Sequence, residues 1–165
     1  MAIKTNVSHE VDAKDRAILA LVQRDTKLQQ AEIAKRVGLS AAAVNERLRK
    51  LDLAGVIRRH AAIVDPQAVG AMITAFVEVF IEQPRFEREF LERVLALDEV
   101  QECHHITGEF SLLLKVRVRD MNELRDLLLH QFNAMEGVRQ TRTIMVLSTV
   151  KEESYVPTGV KGTPS

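Results

Sequence analysis

The sequence predicts an α+β protein with an N-terminal winged helix-turn-helix domain and a C-terminal ferredoxin-like domain of order βαββαβ. Apolar residues recur at helical spacing as far as Leu53, and they alternate at strand spacing from Met72 onwards. Between these regions Asp65-Pro66 and Gly70 interrupt both patterns. The expected parts are residues 1–64 for the winged helix-turn-helix with a linker strand, 65–70 for a hinge, 71–151 for the ferredoxin-like domain and 152–165 for a C-terminal tail.

The composition is that of a folded globular protein. Of its 165 residues, 46% are hydrophobic and 28% are charged, which is ordinary for such proteins. No apolar run in the sequence approaches the roughly 20 residues that span a bilayer. Residues 1–10 also lack the apolar stretch of a secretory signal. We therefore expect a cytoplasmic protein that does not bind membranes.

Two helices are expected before residue 38. Asp12 is a good N-cap for a first helix over residues 12–24, whose apolar residues fall at helical spacing. A second helix is expected from Gln30 to Val37. It should end at Gly38, because glycine accepts the left-handed conformation of a C-cap.

A third helix follows at the spacing of a helix-turn-helix. Ser40 caps it, and residues up to about Leu53 belong to it. After it, residues 56–64 change to a strand-like pattern, which predicts a wing with Arg58 and Arg59 at its tip. The inward apolar stripe of the third helix consists of Val44, Leu48 and Leu51.

The C-terminal half alternates strands and helices. The order corresponds to a split βαβ unit, in which an antiparallel sheet carries both helices on one face. The predicted elements are a strand over 72–81, a helix from Pro84, strands over 100–107 and 110–118, a helix from Asp120 to Gly137 and a strand over 138–150.

Charge is distributed unevenly along the chain. The net charge is zero, but residues 1–65 hold 12 Lys and Arg against 8 Asp and Glu, which leaves 11 against 15 for the remainder. Residues 27–60 hold 8 basic and 3 acidic side chains. A local excess of positive charge of this kind neutralises phosphates, so the N-terminal domain is expected to bind double-stranded DNA.

The outer face of the third helix provides the candidate base-reading residues. With the apolar stripe turned inward, the helical period places polar side chains opposite it, where they could reach base edges. The same residues also allow another interpretation, a ligand-sensing module whose winged helix docks on a protein partner. The candidate DNA-binding residues are Lys35, Arg36, Ser40, Ala42, Asn45, Glu46, Arg47, Arg49, Lys50, Arg58 and Arg59.

A metal site and an enzyme are both disfavoured by the sequence. Adjacent side chains of a strand point to opposite faces, so only Cys103 and His105 of Cys103-His104-His105 share a face, whereas a structural zinc needs four ligands. A lone cysteine also cannot form an internal disulfide. The sequence has no Gly-x-Ser-x-Gly, phosphate-binding glycine loop or His-Glu-x-x-His motif. We expect no metal, no cofactor and no catalytic residues; a small metal-dependent enzyme that uses Cys103 and His105 is the third interpretation.

The open face of the predicted sheet suggests self-association. If both helices cover one face, the other face exposes a larger apolar surface than a soluble monomer normally leaves in water. A second copy of the same sheet is the simplest cover, and its two-fold symmetry would place two third helices at separate half-sites on DNA. The expected dimer-interface residues are Phe76, Phe80, Leu113, Met145 and Leu147.

Residues 106–111 form a polar turn around Gly108 between two strands. From the residues alone, the turn could hold a small ligand or could be a hairpin turn without one.

Several motifs, taken in their order and spacing, resemble the leucine-responsive regulatory protein and asparagine regulator (Lrp/AsnC) family of transcription regulators. The resemblance covers residues 11–151. The motifs are Val11-Asp12-x-x-Asp15-x-x-Ile18-Leu19, Ala34-Lys35-Arg36-Val37-Gly38-Leu39-Ser40, Arg47-Leu48-x-x-Leu51-x-x-x-Gly55-Val56-Ile57, Glu102-Cys103-His104 with Thr107-Gly108-Glu109-Phe110, and Gly137-Val138-x-x-Thr141-x-Thr143.

The resemblance implies a sequence-specific DNA-binding transcription regulator whose second domain serves effector binding and assembly. It implies a homodimer that assembles further into tetramers or octamers, and an amino acid or related small molecule bound at a subunit junction near the glycine turn. The effector residues that it implies are His104, Thr107, Gly108, Glu109, Phe110, Ser111, Met135, Gly137 and Val138.

The sequence departs from the family pattern at a few positions. Ser111 stands where the family commonly has an acid that can meet the amino group of an amino acid. Because a hydroxyl carries no charge, Glu109 is the one carboxylate of the turn that could pair with such a group. Gln29 stands where a serine or threonine usually caps the second helix, and Ala41 and Ala43 stand where prolines are frequent.

Overall fold

The computed structural model describes residues 10–159, so the ends of the predicted first domain and tail, residues 1–9 and 160–165, lie outside it. The described chain forms two compact units. The first contains the residues up to Ala62 together with those from Glu152 onwards, and the second is Ile63–Lys151. The segment expected as a hinge therefore belongs to the second unit, and residues 152–159 of the segment expected as a tail belong to the first.

Three helices form the first unit, as predicted: α1 (Ala13–Val22), α2 (Gln30–Val37) and α3 (Ala41–Leu53). Their apolar faces meet in one core of buried residues. Gly38 ends α2 in the left-handed conformation, with φ 66°. The buried side chains of this core are Ile18, Ile33, Ala34, Val37 and Val44, with Leu48 packed against them.

The strand-like pattern of residues 56–64 does not become a strand. After α3, the backbone N–H groups of Val56 and Ile57 both donate to the Leu51 carbonyl, and no β-pairing is assigned up to residue 72. Arg58 and Arg59 are exposed in an extended segment. The alternation predicted a wing here, but a strand also needs a hydrogen-bonded neighbour, which the pattern alone does not supply.

The second unit has the predicted βαββαβ order. A four-stranded antiparallel sheet is arranged β2-β3-β1-β4. The second helix begins as an α-helix and continues directly into a π-helical segment. The elements are β1 (Ile73–Ile81), α4 (Pro84–Val94), β2 (Val100–His105), β3 (Leu112–Val118), α5 (Met121–Asp126), the π-helical segment (Leu127–Phe132) and β4 (Val138–Met145).

The helices cover one face of this sheet. Alternate residues of β1 and β3 are buried, and they pack against the apolar sides of α4, α5 and the π-helical segment. Burial of this apolar surface is the main stabilising contribution of the unit. The largest fully buried side chains of this core are Phe90, Phe132, Leu112, Leu114 and Leu124.

The pairing of β4 corrects the predicted composition of the open face. Ala75 pairs with Met145 and Phe76 pairs with Ile144. Because paired residues lie on the same face of a sheet, Ile144 shares the open face with Phe76, and Met145 lies on the helix side. Leu147 follows the end of β4 and is 99% exposed. Ile144 and Met145 are both apolar, so alternation could not fix which of them faces out.

Replacing Gly137 by alanine should destabilise the fold strongly. Gly137 has φ 84°, and a Cβ there would lie 2.4 Å from the Phe86 side chain. The control is Gly70→Ala, because Gly70 has φ 80° with no atom within 4 Å of such a Cβ. The backbone conformation should cost about 1–2 kcal/mol in both variants, and the clash should cost Gly137→Ala about 1–3 kcal/mol more. Urea unfolding of both variants measures the difference; equal losses would contradict this account.

Candidate nucleic-acid interface and effector turn

The turn between α2 and α3 is fixed by local hydrogen bonds. The backbone N–H groups of Gly38 and Leu39 both donate to the Ala34 carbonyl. Ser40 accepts a hydrogen bond from the backbone N–H of Ala43 at 3.1 Å, as expected for the N-cap of α3. Lys14 of α1 donates a hydrogen bond to the carbonyl of Val37, the last residue of α2. These contacts set the angle at which α3 leaves the turn.

Arg47 links α3 to the start of α1. Its Nη1 donates to Asp12 at 2.7 Å and to Asp15 at 2.8 Å. The two carboxylates also form a reciprocal capping box at the start of α1. The hydrogen bond with Asp15 raises the pKa of Arg47, and the Asp15 backbone N–H together with Arg47 lowers the pKa of Asp12. The Arg47 side chain is thus engaged with two carboxylates of its own domain.

The other predicted residues of α3 come together on its outer face. Arg49 donates to Glu46 through two nitrogens, at 2.9 and 2.8 Å. This pair, with smaller help from Lys50, lowers the pKa of Glu46 to about 2. Ser40 lies at the start of this face, which is exposed and is formed by Ala42, Asn45, Glu46, Arg49 and Lys50.

Gln30 is a residue of this face that sequence reasoning missed. Its Nε2 donates to Asn45 Oδ1 at 2.9 Å, so the first residue of α2 orients a side chain of α3. No local pattern predicts this pair, because the two residues are 15 positions apart.

The remaining cations differ in their partners. Arg36 pairs with Glu32 at 2.8 Å. Lys35, Arg58 and Arg59 are exposed, and their side chains have no ion-pair partner among residues 10–159. Cations without a protein partner are the ones that can neutralise phosphate at the least cost.

The polar turn of residues 106–111 is held by backbone hydrogen bonds within the turn and to β1. The Ile106 N–H donates to the Ser111 carbonyl, and the Ser111 N–H donates to the Val79 carbonyl, both at 3.0 Å. Residues 107–109 are exposed, and Gly108 has φ 123°. Phe110, by contrast, is buried.

The other predicted effector residues lie at the same end of the sheet. Gly137 precedes β4, and its carbonyl accepts a hydrogen bond from the Glu82 N–H just after β1. Met135 and Val138 pack against the core. His104 lies on the open face beside Leu113, with its Nε2 3.1 Å from Glu102. A groove of about 440 Å³ beside α4 and the π-helical segment includes only Met135 of the predicted set.

Arg142 was not predicted, yet it joins the turn to the open face. Its guanidinium lies 4.8 Å from the centre of the Phe110 ring and forms an ion pair with Glu78. The hydrogen bond with Glu78 raises the pKa of Arg142, and the charge of Glu109 adds a smaller effect. The alternation of β4 would have placed Arg142 on this face if the phase of the strand had been known.

The open face combines apolar residues with ion pairs. Phe76 and Leu113 are half-buried, and Phe80 and Ile144 are exposed. Between them lie the Glu78–Arg142 pair and the contact of Lys115 with Glu102 at 3.4 Å.

The cysteine and histidine motif forms no ligand cluster in the described structure. Cys103 is half-buried, and burial raises the pKa of its thiol. His105 Nε2 lies 2.9 Å from Glu87. Across residues 10–159, no group of three or more His, Cys, Asp or Glu side chains is arranged to hold a metal ion. In the same range, no helix has the length and apolar character needed to cross a membrane.

Comparisons with known families match both units. A winged helix-turn-helix DNA-binding model matches residues 11–58, and an Lrp/AsnC ligand binding domain model matches residues 74–156. The leucine-responsive regulatory proteins of Klebsiella pneumoniae and of Escherichia coli K12 are each 37% identical to this chain over 153 residues, which are 92% of this chain and 93% of theirs.

Solved structures show the same likeness. The L-Met complex of a transcriptional regulator from Neisseria meningitidis matches with a TM-score of 0.85 and 30% identity, covering 90% of this chain and 97% of that one. The AsnC structure from E. coli matches with a TM-score of 0.82 and 26% identity, covering 89% and 99%.

Replacing Arg47 by alanine should destabilise the first unit. Asp15 is 1% exposed and would lose its ion pair with Arg47. Removal of one partner from a buried pair costs about 3–5 kcal/mol. Because Arg47 itself is 30% exposed, water should reduce the loss to about 2–3 kcal/mol. Arg49→Ala removes an arginine of the same helix from an exposed pair and should leave stability nearly unchanged. Thermal unfolding compares the two variants, and similar melting temperatures would show that Asp15 does not depend on Arg47.

Proposed function

The chain belongs to the Lrp/AsnC family of DNA-binding transcription regulators, and we propose that it reads a specific DNA sequence with the outer face of α3. The observation that carries this proposal is the group of exposed polar side chains on that face, held in place from within the domain by Arg47. We call α3 the recognition helix from here on. Regulation by binding needs no catalysis, and we propose none. Because its proposed target is DNA, we propose that the protein acts in the cytoplasm.

The side chains of the recognition helix suit different base edges. The Asn45 amide matches adenine, the Arg49 guanidinium matches guanine, and the Glu46 carboxylate can accept a hydrogen bond from cytosine. Ser40 and Ala42, near the start of the helix, and Lys50 complete this surface. Asn45, Glu46 and Arg49 are therefore the proposed base readers.

Phosphate contacts are assigned to the cations around the recognition helix. Lys35, Arg58 and Arg59 make no ion pair with described residues, so they can meet phosphate without breaking one. Arg36 would have to share its contact with Glu32. Arg47 is proposed to position the recognition helix rather than to touch DNA. No finding favours a protein partner for this unit.

Arg49→Ala and Lys35→Ala should weaken DNA binding in different ways. Loss of a base reader should cost the selected operator about ten- to a hundredfold in affinity and should relax the preference at one base pair. Loss of a phosphate contact should weaken all sequences alike and lower the salt dependence by about one ion. Competition binding of a selected operator against random DNA at several salt concentrations measures both effects. An unchanged affinity ratio in Arg49→Ala would reject its role as a base reader.

We further propose that two chains pair through the open faces of their sheets and that dimers assemble into tetramers or octamers. The support is the exposed apolar surface around Phe76, Phe80, Leu113 and Ile144. A homodimer covers such a surface and presents two recognition helices to two half-sites.

Phe76→Asp should convert the assembly into a monomer, since it places a charge in the middle of the apolar face. Leu95→Asp is the control, because Leu95 is an exposed apolar residue at the end of α4, away from the open face. Light scattering at micromolar concentration should show a dimer or larger for the natural chain and for Leu95→Asp. A monodisperse monomer of the natural chain would refute the proposal.

The ligand of the second domain is proposed to be an amino acid. A solved relative of similar fold binds L-Met, and the turn of residues 106–111 offers groups that suit such a molecule. Glu109 is exposed and can pair with the ammonium group, while the buried Phe110 forms the floor beneath. The proposed effector site at the subunit junction comprises His104, Thr107, Gly108, Glu109, Phe110, Ser111, Met135, Gly137 and Val138.

Glu109→Gln should weaken amino-acid binding at least about tenfold, because it removes the one charge of the turn that meets the ammonium group. Glu89→Gln, a similar change on the exposed surface of α4, should leave binding intact. Calorimetry with the twenty amino acids tests both variants. Since a ligand acts only through its different affinity for two states, the bound amino acid should shift operator affinity by about 5- to 150-fold. Tight binding that survives Glu109→Gln would place the site elsewhere, and no heat with any amino acid would indicate a regulator without this effector.

A further inference from the structure

The C-terminal segment of the described chain packs on α1 rather than extending freely. The Val156 N–H donates to Gln23 Oε1 at 2.8 Å, and Gln23 Nε2 donates to the Val156 carbonyl at 3.1 Å. The guanidinium of Arg24 lies 5.3 Å from the centre of the Tyr155 ring, and Arg16 donates to the Thr158 carbonyl at 3.4 Å. Three side chains at or near α1 thus hold three residues of one four-residue segment.

Gln23 and Val156 are joined by two hydrogen bonds of defined geometry. One side-chain amide satisfies both the donor and the acceptor of one backbone residue, as a neighbouring strand would. Pro157 follows Val156 and restricts it to the extended conformations that expose both groups on one side. The segment therefore loses little conformational freedom when it docks.

The burial of side chains in the C-terminal segment and in α1 agrees with a contact between them. Tyr155 and Thr158 are half-buried, whereas the intervening Val156 and Pro157 are exposed. On α1, Ala20 lies on the same side as Arg16 and Gln23 by helical spacing. Ala20 is only 8% exposed although it is not part of the three-helix core. We attribute its burial to the docked segment.

We infer that α1 carries a docking site for the chain's own segment Tyr155–Thr158, and that this segment is a stabilising part of the DNA-binding unit. The chain leaves that unit after Ala62 and returns to it at Glu152. Two covalent connections, rather than one, therefore join the ligand-binding domain to the DNA-binding unit. The docking does not depend on the proposed function.

The chain contains a natural probe for this docking. Tyr155 is its single tyrosine, and there is no tryptophan. Tyrosine fluorescence therefore reports the state of the segment in the full-length protein, without any label and without DNA. Acrylamide quenching measures how accessible the ring is, with N-acetyl-tyrosinamide as the reference for a free side chain.

Gln23→Ala removes both hydrogen bonds to Val156, while alanine keeps the helix favourable. The undocked population should rise by about two- to tenfold for each hydrogen bond lost, so quenching should move towards the free reference. Gln29→Ala is the control, since Gln29 is an exposed glutamine of the same unit whose side chain makes no capping hydrogen bond. The docking is rejected if Tyr155 of the natural chain is quenched as readily as the reference, or if Gln23→Ala behaves as Gln29→Ala does.

Two further measurements test the rest of the inference. Quenching that is independent of protein concentration is expected for a segment docked on its own chain, whereas a rise on dilution would show that another copy supplies it. Hydrogen exchange should show lower protection of α1 amides in Gln23→Ala, by about two- to tenfold, with β3 amides unchanged. A freed Tyr155 with unchanged α1 protection would reject the stabilising role. None of these readouts involves DNA or an amino acid, so a failure of the proposed function would leave them interpretable.

Discussion

The ion pair between Arg47 and Asp15 determines how the recognition helix is presented. Asp15 is buried, and it also belongs to the capping box that begins α1, so one carboxylate stabilises one helix and anchors another. A buried carboxylate needs a charged partner, and Arg47 on the inner side of the recognition helix supplies one. Once Arg47 and the apolar stripe face inward, the helical period leaves Asn45, Glu46 and Arg49 facing outward. The surface proposed to meet DNA is therefore set from inside the domain.

The outward side chains are already organised before DNA is present. Gln30 orients the Asn45 amide, and Glu46 accepts hydrogen bonds from Nε and Nη2 on one edge of the Arg49 guanidinium. A base that binds Arg49 must compete with Glu46. An exposed ion pair contributes less free energy than a bidentate contact with a base edge, so the base contact is favoured where the sequence offers guanine. If Arg49 is a base reader, as proposed, it would keep its pair with Glu46 where the sequence offers no guanine, and this difference would add to the discrimination between sequences.

Local sequence patterns predicted the helices and strands well. The features that they did not predict depend on contacts between residues that are distant in the sequence. The spacing of apolar residues and Gly38 predicted α2 and the turn after it, because caps and helical faces depend on near neighbours. Arg47 and Arg49 look alike in sequence, and it is the fold that pairs Arg47 with the buried Asp15 of α1 and Arg49 with the exposed Glu46 of its own helix. Likewise, the choice between Ile144 and Met145 depends on pairing with β1. The docked segment at Tyr155 was expected as a tail because its partners on α1 lie more than a hundred residues earlier.

Arg142 connects the proposed effector site with the proposed dimer face. Its guanidinium stacks over Phe110 of the turn and pairs with Glu78 on the open face, and the charge of Glu109 acts on it as well. A ligand ammonium that pairs with Glu109 neutralises that carboxylate and leaves Glu78 as the main counter-charge of Arg142. The electrostatic balance of the open face then differs between the free and the bound states. Because two copies are proposed to meet at that face, we propose that this difference gives the ligand unequal affinities for two assembly states, through which it would change the affinity for DNA.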